Sequence, residues 1–231
     1  MRHPLVLALV LMAVSLQGMA AGVGFNRSRL VYLQGSSSEA ITAKNGTEQL
    51  YLLQSGVLTT PDGKEAGPFW VTPPIARLEA NSQNTLRIAG KAAQLAALPQ
   101  DRESVFYFFS TAIPAQPDSL QAGGAKLSIG LRTVLKLFYR PKGLPGNVDE
   151  VVAQLQVSRQ GKSVVIRNPT PYYASLATLV LDGKPIDLST QPSMIAPFSE
   201  LAFPGEGRQA RWRLMTDYGG VTDEKEARLS E

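Results

Sequence analysis

The sequence contains no cysteine and a single histidine, His3. Without cysteine there is no disulfide, no thiol nucleophile and no thiolate metal site. With only His3 to supply an imidazole, Ser-His-Asp triads, Cys-His dyads and most zinc or non-haem iron sites are excluded. Enzymes built on carboxylate pairs or Ser-Lys dyads survive this cut. A dominant charge is also missing. Lys and Arg number 23 against 19 Asp and Glu, a net charge of +4. The basic residues are scattered rather than gathered into the patch that nucleic-acid binders use, so nucleic acid is not an expected partner. No Gly-rich phosphate loop is present, so no nucleotide is implied. No metal and no cofactor of any other kind is expected.

Long hydrophobic runs are confined to one place. Arg2 precedes the apolar stretch Leu5–Val14, and Gly18 and Ala20 stand at the −3 and −1 positions of a cleavage point after Ala20. A basic start, a short apolar run and small residues at the cut define a secretory signal, here residues 1–20. A stretch this short cannot cross ~30 Å of hydrocarbon at ~1.5 Å per residue, so no membrane insertion is expected. Loss of Arg2 leaves 22 basic against 19 acidic residues, a mature charge of +3. An exported chain without disulfides must rely on its core alone.

What is present reads as β-structure. Short alternating segments, punctuated by turn residues, run over 23–33, 39–43, 49–58, 69–72, 85–88, 104–113 and 126–139. Ala92–Leu98 reads as one helical turn before Pro99. Pro141-Lys142-Gly143-Leu144-Pro145-Gly146 reads as a linker. A second set covers 150–157, 163–167, 172–181, 186–188 and 209–217, and the charged segment 221–231 reads as irregular. Strands at this spacing predict β-sandwiches. The expected domains are residues 21–141 and 142–231 after the signal.

Several strings, in this order and spacing, resemble one family. They are Arg27-Ser28-Arg29, Pro73-Pro74, the stretch 98–104 (LPQDRES) leading into Phe106-Tyr107-Phe108, Lys136-Leu137-Phe138-Tyr139-Arg140-Pro141, Asn168-Pro169-Thr170-Pro171-Tyr172-Tyr173 and Asp217-Tyr218-Gly219-Gly220. Together they resemble the PapD-like periplasmic chaperones of the chaperone–usher pathway, over roughly residues 22–220. The resemblance implies an all-β fold of two immunoglobulin-like sandwiches in an L-shaped, boomerang-like arrangement, with a cleft at the bend. It also implies a periplasmic, non-enzymatic protein that binds pilin subunits by donor-strand complementation and delivers them to an outer-membrane usher.

Three groups of residues carry that reading, each beside a plainer one. Leu127, Ile129 and Leu131 alternate with Lys126, Ser128, Gly130 and Arg132. The plain reading is a strand whose apolar face packs on its own core. The family reading is a donor strand entering a subunit's groove, supported by the thin opposite face at Ser128 and Gly130 and by the loop-like flank 114–124. Arg29 and Lys136 are, by default, solvated strand residues. By the resemblance they form the anchor for a subunit's terminal carboxylate, a sensible use of two convergent cations. On a strict pleat, Lys136 has the opposite parity to the donor residues, so the anchor faces away from them or a bulge intervenes. Glu103, Arg140 and Asp217 are by default scattered surface charges. The resemblance makes them a buried inter-domain network that fixes geometry rather than adding stability. A glycosidase reading of the two carboxylates fails because an arginine between them keeps both ionised.

The charged segment after Gly220 departs from the family's final apolar–polar strand, leaving either a shortened chain or an edge made polar. Zero cysteine and a moderate 114–124 loop match the family's short-loop branch. Two rivals remain open. A structural pilin or adhesin would carry one domain and an N-terminal extension. A secreted immunoglobulin-like carbohydrate-binding module would want exposed aromatics, with only Trp70 and Trp212 as tryptophans. An apolar edge is also compatible with self-capping in a dimer when unloaded.

Overall fold

The computed structural model describes residues 22–115 and 129–229. The signal segment, Lys126, Leu127 and most of the 114–124 flank lie outside the described residues. The first domain contains β1 (Val23–Phe25), β2 (Arg29–Leu33), β3 (Glu39–Asn45), β4 (Tyr51–Leu58), β5 (Phe69–Thr72), β6 (Ile75–Leu78) and β7 (Gln83–Gly90). A short helix α1 (Ala92–Ala96) and the long strands β8 (Ser104–Pro114) and β9 (Leu131–Arg140) complete it. Four strands pair in the order β1-β3-β7-β5 and five in the order β2-β9-β8-β4-β6. Inward residues of both sheets, among them Leu30, Ile41, Leu53, Leu86, Ile88, Phe108 and Leu137, are fully buried and form one apolar cluster.

The expected single strand over 23–33 is two strands in different sheets. Val23–Phe25 pairs with β3, whereas Arg29–Leu33 pairs in parallel with β9. Asn26 makes the corner: its N–H donates to the Thr42 carbonyl and its Oδ1 accepts from the Thr42 N–H. One chain segment therefore edges both sheets, and it delivers Arg29 to β9.

The second domain begins with a helical turn, not the strand expected from residue 150. A 3-10 turn at Val148–Glu150 runs into α2 (Val151–Gln154), and the Asn147 side chain accepts from the Asp149 N–H at the start. Val151, Val152 and Leu155 are buried at helical spacing, a 3.6 period that outweighs the strand propensity of valine. The strands β10 (Gln156–Gln160), β11 (Ser163–Asn168), β12 (Ala174–Leu181), β13 (Lys184–Pro185), β14 (Met194–Ile195), β15 (Ser199–Pro204), β16 (Gln209–Leu214) and β17 (Lys225–Arg228) follow. They form sheets ordered β10-β11-β15 and β13-β12-β16-β17, with β14 on β12. Ile186–Leu188 is not a strand, because Asp187 turns the chain by accepting the Ser189 N–H and hydroxyl. A second cluster holds Val164, Ile166, Leu179, Ile195, Phe203 and Trp212.

The segment after Gly220 is ordered rather than irregular. β17 pairs with β16 from Gln209–Arg228 to Trp212–Lys225, and Glu224 bridges Arg211 and Arg213. The last strand is thus a polar edge, which suits an edge that should not recruit neighbours.

Candidate functional site

In-register pairing brings the two candidate anchors together. The parallel ladder of β2 and β9 makes Arg29 and Lys136 direct partners, so their side chains share one face. Leu30, Leu137 and Tyr139 occupy the opposite face, in the first core. The face carrying Arg29, Lys136, Phe138 and Arg140 turns toward the second domain. Phe138 is buried there, its ring centroid 5.5 Å from that of Tyr173.

Arg29 is only 6% exposed. Its Nη1 donates to the Met215 carbonyl of the second domain at 3.3 Å, while its buried Nε has no partner. Burial lowers its pKa, and the charges of Asp217 and Glu103 act in the other direction. Burial also lowers the Lys136 pKa, and repulsion from Arg29 adds to the effect. Among the described residues neither cation carries an ion pair, yet Arg29 is not free of acidic influence, because both network carboxylates act on it through space. Like charges held this close with little compensation suit an anion that arrives from outside.

The network assembles across the domain boundary. Arg140 Nε donates to Glu103 Oε1 at 2.6 Å, and its Nη1 and Nη2 donate to the two Asp217 oxygens at 2.7 and 3.1 Å. Glu103 Oε2 accepts the Tyr173 N–H at 2.7 Å, and the Glu103 N–H donates to the Pro171 carbonyl. Side-chain exposures are 2% for Glu103, 15% for Arg140 and 20% for Asp217. Burial raises the Glu103 pKa, against the pull of Arg140 and the Tyr173 N–H. The expectation that Arg140 simply holds both carboxylates down is therefore corrected at Glu103: desolvation is the larger influence there. Burial also opposes the Arg140 charge, but its bonds to Asp217 and the two carboxylate charges outweigh it and raise its pKa. Glu103 and Asp217 thus pair with Arg140 and act on Arg29 through space, whereas Lys136 feels only burial and the charge of Arg29.

The candidate donor residues stand at the other end of β9. Ile129 is 74% and Leu131 61% exposed; Leu127 lies outside the described residues. β8 and β9 pair without a register shift from Ser104–Tyr139 to Ala112–Leu131. Leu131 therefore shares the face of Leu137 and Tyr139, and Lys136 stands on the other. The strict pleat holds over Leu131–Arg140, with no bulge. β2 covers β9 only from Lys136 to Arg140, so the segment before Lys136 has an unpaired edge among the described residues. Leu131 also lines an open apolar trough of about 580 Å³ with Val23 and Phe25.

Known proteins share both domains. Residues 22–145 match the family model described as "Pili and flagellar-assembly chaperone, PapD N-terminal domain", and residues 150–226 match "Pili assembly chaperone PapD, C-terminal domain". The chain belongs to this chaperone family. Chaperone protein FimC of Escherichia coli (strain K12) is 34% identical over 217 residues, covering 93% of this chain and 88% of FimC. Chaperone protein HifB of Haemophilus influenzae is 34% identical over 209 residues, covering 86% of this chain and 85% of HifB. Among solved structures, the E. coli chaperone DraB matches with a TM-score of 0.78 and 34% identity, over 90% of this chain and 98% of DraB. The SafB chaperone of Salmonella enterica, solved with the SafA pilin, matches at 0.78 and 30%, over 90% of this chain and 96% of the other.

Sequence reasoning missed two parts of the chaperone's cleft. The Met215 carbonyl is a backbone group, which no residue type announces. The Phe138–Tyr173 contact joins two residues that each read as ordinary strand aromatics. Trp212 is buried and donates to the Val152 carbonyl. Trp70 is 63% exposed, with the Lys91 ammonium 4.3 Å from its ring centroid.

The lowered Lys136 pKa gives a pH prediction. A carboxylate held by Lys136 would bind the protonated amine, so its affinity should fall as pH rises through that lowered value, and binding should take up protons. The empty chaperone should behave oppositely. Between the folded and unfolded lysine pKa values the unfolded chain holds more protons, so stability rises with pH in that window. Burial raises the pKa of the neighbouring Tyr107 and Tyr173, so above the ordinary tyrosine value their ionisation opposes this gain. Calorimetry of carboxylate binding over an alkaline pH series measures the effect, and Lys136→Arg should abolish it. An affinity flat in pH for the unmodified chain contradicts the assignment.

Proposed function

We propose that this chain is a periplasmic chaperone, exported on removal of residues 1–20, that captures pilin subunits and passes them to an outer-membrane usher. In this reading Leu127, Ile129 and Leu131 enter a subunit's incomplete apolar groove, and Arg29 with Lys136 holds the subunit's terminal carboxylate. Glu103, Arg140 and Asp217 fix the two domains, whose boundary falls at Pro141–Lys142. The activity is binding, with no reaction catalysed. One observation carries the reading: exposed Leu131, with Ile129 just before it, stands at an unpaired edge in unbroken register with the buried Arg29 and half-buried Lys136. Leu131 and Ile129 lie five and seven residues from Lys136, about 16 and 23 Å along an extended strand. A subunit anchored by its carboxylate would thus have its pairing register set relative to the donor side chains, and a one-residue slip would turn every side chain to the wrong face. The SafB relative is solved with a pilin, which supports the same role here. The same exposed edge supports self-capping between two unloaded copies.

Ile129→Asp tests the donor role. The substituted chaperone should fold with an unchanged melt, because the side chain is exposed, yet co-purify with little or no subunit, because a carboxylate would enter an apolar groove. Unfolding of this variant would place Ile129 in the chaperone's own core and overturn the assignment.

A further inference from the structure

The turn Met215–Val221 of the second domain touches both arginines of the cleft. A bridge between Met215 and Val221 ties its ends, and N–H groups of Thr216 and Gly219 donate to the carbonyls of Gly220 at 2.9 Å and Thr216 at 3.0 Å. Three of its groups reach the first domain. Asp217 accepts two N–H groups of Arg140. The Met215 carbonyl accepts Nη1 of Arg29. Gly219, at φ +83, lies so close to Ser28 that a Cβ there would fall 2.4 Å from the Ser28 hydroxyl. A glycine is needed for both reasons, the left-handed backbone and the contact. Ser28 immediately precedes Arg29.

The donors of Arg29 are thereby divided. Nη1 is held by Met215, and Nε is buried without a partner; among the described residues Nη2 carries no hydrogen bond, and it is not among the buried unpaired atoms. An arginine free in solution would offer a carboxylate any of its five N–H donors. This one is turned so that the Nη2 side is left for a ligand.

We infer that the Met215–Val221 turn is the positioning element of the carboxylate anchor: the Met215 carbonyl and the close seat of Gly219 on Ser28 orient Arg29 so that it and Lys136 serve one carboxylate. The inference rests on the anchor reading of Arg29 and Lys136 and deepens it. It makes the anchor a property of both domains, although both cations belong to the first. Displacing the turn releases Arg29 into orientations that do not converge with Lys136.

The test uses two synthetic ten-residue peptides of alternating valine and threonine, one ending in a free carboxylate and one in an amide. Each is titrated calorimetrically into the full chain. The unmodified chaperone should prefer the acid by at least tenfold, the scale of one charge-assisted hydrogen bond. Asparagine tolerates a left-handed backbone better than most residues, so Gly219→Asn chiefly introduces the clash with Ser28. It should weaken the acid about tenfold and leave the amide unchanged. Adding Ser28→Ala removes the clashing hydroxyl and leaves the Ser28 Cβ at 3.6 Å from the new Cβ, so the preference should return. Ser28→Ala alone should keep it. Equal weakening of both peptides by Gly219→Asn, or no recovery in the double variant, overturns the inference. Lys136→Ala separates the two levels. If it keeps the acid preference, or if the unmodified chain does not distinguish the peptides, the anchor reading itself fails. If it loses the preference while Gly219→Asn keeps it, only the role of the turn fails.

Discussion

Replacing Arg140 with alanine should lower the melting temperature of the chain by roughly 6–12 °C. Arg140 gives two N–H groups to Asp217 and one to Glu103. Removing one partner of a buried ionic network costs about 3–5 kcal/mol, because the remaining charges stay buried and unpaired. Asp217 is 20% exposed and can regain water, but Glu103, at 2%, cannot. The expected loss therefore sits near 3 kcal/mol, and each kcal/mol moves the midpoint of a chain this size by about 2–4 °C. The loss should shrink on acidification. Burial already raises the Glu103 pKa, and without Arg140 it rises further. A carboxyl raised above its unfolded value destabilises as pH climbs through the gap and ceases to do so below it. Thermal melts at neutral and acid pH check both statements. An unchanged melting temperature would show that the network contributes no net stability, leaving geometry as its only use.

Much of this was legible in the residues, for particular reasons. The alternation of Leu127, Ile129 and Leu131, and the opposite parity of Lys136, follow from the two-residue period of a strand, and the unshifted β8–β9 register keeps that parity over Leu131–Arg140. The β-sandwich class followed from turn residues at regular spacing. Other features were hidden because long-range pairing decides them. Nothing local announces that 23–33 leaves one sheet and joins another at Asn26; that depends on Thr42 and on β9. The helical turn at Val148–Gln154 carried a 3.6-residue period, but valines dominate it and valine favours strands. The strand Lys225–Arg228 turns only Ala227, with Leu229 just beyond it, toward the core, and its place is set by β16 and by Glu224. Arg29 meets Met215 across 186 residues, through a backbone carbonyl that looks the same in every sequence.

The largest functional effect should come from the two cations, and the structure separates them. Lys136→Ala should abolish productive subunit capture while leaving the melt unchanged or slightly higher. Burial and Arg29 already disfavour its charge, so removing it relieves both. Arg29→Ala should abolish capture equally but lower stability slightly, because Arg29 holds the Met215 carbonyl and is drawn to Asp217 and Glu103. For capture, the loss should exceed the ~1.5–3 kcal/mol of one charged hydrogen bond. Without the anchor a subunit strand can pair with β9 in several registers, and half of them turn its side chains away from Ile129 and Leu131. The measurement is subunit co-purification with a parallel melt for each variant. Normal capture by both variants would show that subunits are held by the apolar edge alone. It would then follow that the paired cations, Arg29 and Lys136, serve some other anion.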